Sequence, residues 1–290
     1  MLAFLNIVGV GMQEGGGEQN LKDMEVQPAI DMVNKYKGTI VGIKSAHFTG
    51  PEWTPYINAE EIGKATHIPV MVDFGSNTRA GRTLYDLLNK YFRAGDIYTH
   101  CYGGNRGEQD PETKGPSKAM VDGRARGVIF DVGHGNGSFV MRNAVPAVAQ
   151  GFYPDTISTD LHGPSMNKGL IDFPTTASKF LALGMPLKEV ILRSTWNPAQ
   201  VIHHPELGHL TVGAVADITL WSVEKGNFGF RDSLEGMIKG TERMRCEMTV
   251  KGGVIEWDWN SISGTDYRKL GPSYGIRPAI DTIVLPPKSN

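Results

Sequence analysis

The sequence predicts an α/β chain: a (β/α)8 (TIM) barrel with its first two strands missing, followed by a small C-terminal β-sandwich portion. Two observations carry this. The first is an apolar run that recurs along the chain and each time stops at a polar, chemically capable side chain. The runs are Val41 to Lys44, Val70 to Asp73, Ile97 to His100, Val128 to His134 and Ile157 to Asp160. Near-continuous apolar runs of this length are the mark of parallel strands buried on both faces. The second is spacing. Successive tips lie 29 residues (44 to 73), 27 (73 to 100), 34 (100 to 134) and 26 (134 to 160) apart. A barrel of this class allots roughly 30 residues to each strand–helix unit and sets its catalytic groups at the carboxyl ends of several strands.

Six strands are expected, near residues 2–8, 40–44, 69–73, 97–100, 127–132 and 156–160. The apolar start, Met1 to Gly11, lacks the basic region and small-residue cleavage site of a signal peptide, and reads as the first strand with a Gly-rich loop at its end. A closed barrel needs two more strands, and nothing after Asp160 has their pattern. The shortfall is therefore placed before Met1, and the chain is expected to be a fragment. Glycines at 15–17 predict a flexible loop, and Val26 to Tyr36 a helix. Asn58 is expected to N-cap a helix running to Thr66, with Glu61 at its third position. Leu84, Leu87, Leu88 and Tyr91 share one face of a helix over 84–92. Residues 103–115 make a mobile surface loop above His100, a common place for a lid. Helices at 117–126 and 144–150 flank the central strand.

Beyond Asp160 the pattern changes. Helices are expected at 175–183, 186–193 and 197–202, then short strands at 215–223, 247–250 and 254–257, the last after the turn Gly252-Gly253. This divides the chain into a barrel over residues 1–205, a β-sandwich portion over 206–259 and an unpatterned tail over 260–290, packed along the surface.

Composition narrows the classes of function. The chain has 290 residues, with 29 Lys plus Arg against 31 Asp plus Glu, a formal charge of −2. That balance, without basic runs, gives no reason to expect nucleic acid or an anionic membrane surface as partner. No apolar run approaches the ~20 residues of a transmembrane helix. The two cysteines, Cys101 and Cys246, cannot build a disulfide framework or a cysteine-based zinc site. A small-molecule substrate is the expected partner, with homo-oligomers left open. The cytoplasm is the default compartment, since a signal peptide would lie upstream of Met1.

Each strand tip has a bland reading beside a chemical one. Lys44 is either a snorkelling lysine or a desolvated amine able to add carbon dioxide and present a carbamate to metal ions. His100 and Asp160 are nitrogen and oxygen ligands of the kind zinc takes, and Asp160 at the last strand is placed to accept a proton from activated water. Asp73 is a metal ligand, or a capping or salt-bridging carboxylate. His134 stands among Gly133, Gly135 and Gly137, where glycines suit close backbone approach to a ligand. His162, two residues past Asp160, is a candidate substrate or supporting group. His47 and His67 read as loop residues, and His203, His204 and His209 as part of the connection into the β portion.

The stretches Tyr98 to Gly104, Val128 to Phe139, Ile157 to His162, Ser194 to Ala199 and Gly208 to Asp217 together resemble the amidohydrolase superfamily, and within it the dihydroorotase-like amidohydrolase/deacetylase metallohydrolases. The likeness covers nearly all of residues 1–259. It implies a barrel that binds one or two divalent ions, usually zinc. By position Lys44 resembles the carboxylated bridging lysine, Asp73 the fifth-strand ligand, His100 the sixth-strand histidine, and Asp160 the eighth-strand aspartate and catalytic base. His134 and Gly135 then resemble substrate-pocket positions, joined by His162. Two departures are visible: Asp73 stands where many relatives have histidine, and no His-x-His occurs in the chain. The implied activity is metal-dependent hydrolysis of carbon–nitrogen amide bonds, of the N-acyl (deacetylase) or cyclic-amide type, by a metal-activated hydroxide, with acetyl esters as further substrates. The alternatives are a catalytically incomplete barrel serving as a binding or assembly subunit, and a metal-free barrel using Lys44 for Schiff-base chemistry.

Overall fold

The computed structural model describes residues 1–12, 16–75, 81–104 and 107–276. Five short strands form one parallel sheet in chain order: β1 (Ala3–Asn6), β2 (Ile40–Ser45), β3 (Val70–Val72), β4 (Ile97–Tyr98) and β5 (Ile129–Phe130). Each strand is laid beside its predecessor after a crossover, which is how the wall of a (β/α) barrel grows. The sixth expected strand is reduced to one bridge, between Asp131 and Thr156. The reason is local. Gly133 (φ +46°) and Gly135 (φ +53°) turn the chain out of extended geometry just after β5, so little ladder can form. Bonds from Val132 N to Thr156 O (3.2 Å) and from Gly135 N to Thr159 O (2.9 Å) still hold the two segments side by side.

The crossovers bury apolar faces on this sheet. In α1 (Val26–Lys35), Ala29 and Val33 face inward one turn apart. Helix α2 (Thr54–Thr66) begins five residues earlier than expected, because Pro55 is favourable in a first turn. Asn58 therefore lies inside it, and its side chain donates to Met24 O (2.8 Å) instead of capping. The expected 84–92 helix is a short α3 (Leu84–Asp86), capped by Thr83, that widens into a π-helical turn over Leu87–Tyr91. Leu84, Leu87 and Leu88 are buried, so the expected apolar face holds although the backbone pitch differs. Helices α4 (Lys118–Ala125) and α5 (Met141–Ala149) flank β5, with Ser117 capping the first. Four more follow: α6 (Gly163–Met166), α7 (Phe173–Ala182), α8 (Leu187–Ser194) and α9 (Trp196–Val201). Ile43, Val72 and Phe130 from the sheet, with Val132 just beyond β5, meet Ala59, Ile62, Leu87, Leu88 and Ala144 from the helices in one core.

Two expectations about loops change. The base of the 103–115 segment is pinned: the buried Glu108 carboxylate accepts from Tyr98 Oη (2.7 Å), Gly104 N (2.8 Å) and Asn143 Nδ2 (3.2 Å). Of the glycines at 15–17, Gly16 and Gly17 open a 3-10 turn, Gly16–Gln19, and Gly15 lies outside the described residues.

The C-terminal portion is a three-stranded antiparallel sheet of β6 (Ile218–Arg231), β7 (Met237–Lys251) and β8 (Val254–Asp258). Its first two strands are far longer than expected, because glycines at 226, 229, 236 and 240 interrupt the alternation that betrays a strand. Among the described residues no second sheet faces it. Residues 259–276 are exposed and not packed on the surface, apart from a 3-10 turn at Tyr267–Lys269, and residues 277–290 lie outside the described range. No helix among the described residues is long and apolar enough to cross a membrane.

The β6–β7 hairpin is docked on the barrel. Met244 and Phe230 are buried, and Met244 N donates to Ser178 Oγ on α7 (2.8 Å). Gly240 permits the approach, since a Cβ there would sit 2.8 Å from the Phe230 ring and 2.9 Å from Ala182 Cβ. At the hairpin tip Asp232 accepts from Leu234 N, Gly236 N and, across the interface, Met141 N (2.9 Å) at the start of α5. Ser178→Ala strands the buried Met244 amide, so equilibrium urea unfolding should show a loss of about 1–3 kcal/mol. A change within error would mean that the hairpin does not depend on this bond.

Candidate active site

The strands β2, β3 and β4 run in register, so their carboxyl ends deliver side chains to one rim. Lys44 pairs opposite Asn6 and Met71, Asp73 N continues the ladder to Ser45 O (2.9 Å), and Thr99 N bonds Val72 O (3.3 Å) just before His100. Asp73 is buried. Its Oδ1 accepts from Gly75 N (2.9 Å), and its Oδ2 faces His100 Nε2 at 3.4 Å and His47 Nε2 at 3.4 Å. Burial alone would raise its pKa. The hydrogen bond and charge of His100, with the charges of Lys44 and His47, more than reverse that and hold the carboxyl well below the ordinary range. Burial likewise opposes protonation of His100, but the facing Asp73 carboxylate outweighs it and the imidazole pKa is raised.

Orientation of these rings comes from behind. His100 Nδ1 lies 2.5 Å from Gly133 O, an acceptor only, so Nδ1 carries the hydrogen and Nε2 is the nitrogen turned towards Asp73. His47 Nδ1 is fixed in the same manner by Glu18 Oε2 (2.8 Å), a carboxylate 1% exposed. His47 is a loop residue, as expected, yet its ring reaches the rim. His100, Asp160 and His47 all adopt the left-handed region (φ +64°, +49° and +56°), which costs a non-glycine residue energy and is concentrated at functional sites.

The turn Gly133–Gly135 separates His100 from Asp160. A Cβ at Gly133 would stand 2.3 Å from Thr99 Oγ1 and 2.7 Å from His100 Nδ1; one at Gly135 would stand 2.6 Å from Asp160 Oδ2. Asp160 is open to solvent, its side chain 46% exposed. His162 Nδ1 bonds Asp160 O (2.8 Å), and His162 also starts α6 through reciprocal bonds with Ser165. His134 points the other way. It is fully buried, stacked on Phe139 (4.8 Å between centroids, 14°), with Nε2 against Lys179 Nζ.

Sequence reasoning missed the support beneath this turn. Asp131 accepts from Thr99 Oγ1 (2.8 Å), Thr156 Oγ1 (2.5 Å) and Ser158 Oγ (2.7 Å), while Ser158 Oγ accepts from Gly133 N (2.9 Å). A carboxylate inside the apolar run Val128–Val132 was the available signal. Lys179 carried none, since a lysine on an amphipathic helix ordinarily reaches solvent.

The donors fit a divalent ion in kind. Asp73 Oδ2 and His100 Nε2 are separated by 3.4 Å, as two ligands of one tetrahedral ion with bonds of about 2.0–2.1 Å must be. Lys44 is close enough to act on both electrostatically. The set is not closed: among the described residues no group of three or more His, Cys, Asp or Glu side chains is arranged to hold a metal ion. Gly133→Ala should cost at least about 1–2 kcal/mol from its left-handed backbone alone. It should also displace His100, seen as a shift of its imidazole resonances; unmoved resonances would show that the ring is not seated on this turn.

The amidohydrolase family profile matches residues 139–256. The chain is 33% identical to a deacetylase of Brucella anthropi and 32% identical to one of Agrobacterium fabrum, in each case over 238 residues, which make up 80% of this chain and 58% of the relative. It thus spans somewhat more than half the length of those curated relatives. Among solved structures it is similar to an adenine deaminase (TM-score 0.83, 27% identity, 89% of this chain and 70% of that one). It is also similar to a dihydroorotase (TM-score 0.76, 29% identity, 88% and 70%). With the parallel sheet, the polar side chains at its strand ends and these likenesses in agreement, the chain belongs to the amidohydrolase superfamily.

Proposed function

We propose that this chain carries metal-binding and proton-transfer groups of a hydrolase that cleaves carbon–nitrogen amide bonds. The observation that carries the reading is the convergence of Lys44, Asp73 and His100 from three consecutive strand ends, with Asp160 across the Gly133–Gly135 turn. A purely structural role would leave a buried carboxylate, two imidazoles and a lysine assembled to no end. The similarity to deacetylases favours N-acetyl compounds over cyclic amides as substrates, with acetyl esters as the second choice.

In this reading Asp73 and His100 would hold a divalent ion, zinc in the first instance, and Lys44 would offer a further oxygen ligand as a carbamate, its neutral amine adding carbon dioxide and releasing a proton to solvent. The ion, when bound, would lower the pKa of a water and polarise the acyl carbonyl. The remaining work belongs to the chain. The Nδ1–H of His100, donating to Gly133 O, keeps Nε2 turned towards Asp73 and free of a hydrogen for the ion it would hold. Asp160, solvent-accessible and held at its carbonyl by His162, takes a proton from the attacking water and delivers it to the leaving nitrogen. His162 and the Gly135 backbone beside Asp160 form the wall that a substrate would meet. His134 enters this reading only as support for the turn.

The test is hydrolysis of N-acetyl amino acids and acetyl esters by the chain loaded with Zn²⁺. Asp160→Asn should lower turnover by about 10²–10⁴-fold with the far-UV spectrum unchanged. Undiminished turnover would remove Asp160 from the mechanism. Chelation should abolish activity and added divalent ion restore it; a chain that retains no Zn²⁺ after gel filtration, or hydrolyses equally well without it, would sink the metal-dependent reading.

A further inference from the structure

Lys179 on α7 is fully buried, an unusual place for a lysine. Its Nζ donates to Gly169 O (2.6 Å) and lies 2.5 Å from His134 Nε2, over the face of Phe139 (5.5 Å). The charged groups that face it are His134 after β5, Asp232 at the tip of the β6–β7 hairpin, and Asp172, the N-cap of its own helix. Burial pulls Lys179 down to about 7 against the opposing pull of Asp232 and Asp172. Burial, then the Lys179 charge, pulls His134 down to about 4. Near neutral pH the imidazole is therefore uncharged, and any proton on the pair resides on Lys179.

The hydrogen bonds then have one consistent assignment. Gly135 O, 3.0 Å from His134 Nδ1, can only accept, so the neutral ring carries its hydrogen on Nδ1. Nε2 is left as a bare acceptor in a buried place, and Lys179 Nζ is the donor that satisfies it. Without Lys179 the ring must either bury a lone pair unpaired or move its hydrogen to Nε2 and abandon Gly135 O. Gly135 is in contact with Asp160, and Gly133 O holds His100, so a ring that lets go of this turn disturbs both groups.

We propose that Lys179 is a positioning residue of this site: by donating to His134 Nε2 it fixes the Nδ1–H tautomer that anchors the Gly133–Gly135 turn, on which His100 and Asp160 are seated. The bearing on catalysis rests on the function proposed above; the tautomer does not.

Nitrogen-15 NMR of the histidine side chains in the intact chain at pH 8 should show His134 with hydrogen on Nδ1 and a bare Nε2. Hydrogen on Nε2 overturns the proposal without recourse to any variant. In Lys179→Met, His134 should lose that tautomer or begin to titrate nearer pH 6.5, and affinity for Co²⁺ alone, read by chelator competition, should fall about tenfold. Unchanged His134 shifts together with unchanged Co²⁺ affinity would refute it. A wild type that binds no Co²⁺ counts against the metal site, and the His134 resonances then decide the positioning contact by themselves. Stability gives a further readout. The folded chain holds the Lys179 proton less tightly than the unfolded chain, so stability from this group climbs as pH rises from about 7 towards ~10.4. The wild-type-minus-variant difference in denaturation midpoint should climb over the same window, and a flat difference would mean that Lys179 is not buried as an amine.

Discussion

The site depends on the direction of one peptide carbonyl. Gly133 O accepts from His100 Nδ1, and the amide of the same residue donates to Ser158 Oγ. Both bonds exist because the chain leaves the sheet at Gly133 in a left-handed conformation that spares a glycine the usual steric penalty. Had β5 continued, its backbone would have paired along the sixth segment and the carbonyl could not have turned towards His100. Ladder hydrogen bonds are therefore exchanged for bonds to side chains, and the sixth strand shrinks to a bridge as a consequence. The same turn brings Gly135 under Asp160. One departure from regular strand geometry thus fixes two groups that come from different strand ends.

Asp131, Lys179 and Asp73 are buried around this turn, each by a different means. Asp131 is satisfied by three hydroxyls, Thr99, Thr156 and Ser158, which stabilise its oxygens through dipoles and leave nothing to exchange. Lys179 is satisfied by a carbonyl and an imidazole, and burial draws its pKa down. Asp73 is satisfied by the Gly75 amide and faces the imidazoles of His100 and His47. On the function proposed above, the last arrangement is the one that would serve a metal ion, because an imidazole nitrogen facing a carboxylate can give up its proton in favour of the ion, whereas a hydroxyl network cannot. The contrast separates Asp73 from Asp131 by environment although they lie on neighbouring parts of one sheet.

How much of this was legible in the sequence follows from what each feature needs. The strand tips were readable because burial on both faces demands an unbroken apolar run, and the tip is where that demand stops. Lys44, Asp73 and His100 accordingly appear at the expected ends. The long hairpin was hidden because glycines that let Phe230 and Ala182 approach its backbone also erase the alternation of a strand. Asn58 has the chemistry of a cap, but Pro55 starts the helix a turn earlier and Asn58 is used to tie Met24. His134 was drawn to the substrate side by its glycine neighbours; those glycines serve His100 and Asp160, and the imidazole turns inward to Lys179. That pairing joins residues 45 positions apart through a helix whose sequence looks like any amphipathic segment, so only the fold could reveal it.

The family match over residues 139–256 omits Lys44, Asp73 and His100, and covers the parts that hold the turn from behind. Phe139 stacks on His134, Ser233 at the hairpin tip bonds Phe139 in both directions, and Asp232 caps the start of α5. The C-terminal hairpin is thereby in mechanical series with the site. Its tip fixes Phe139, Phe139 fixes the imidazole of His134, and His134 fixes the turn between His100 and Asp160. Asp73 and His100 follow strands of only three and two residues, which have little rigidity of their own. The long hairpin supplies it from outside the sheet. This accounts physically for a β portion that contributes no side chain to the rim and yet is packed tightly enough to bury Met244 and Phe230 against α7.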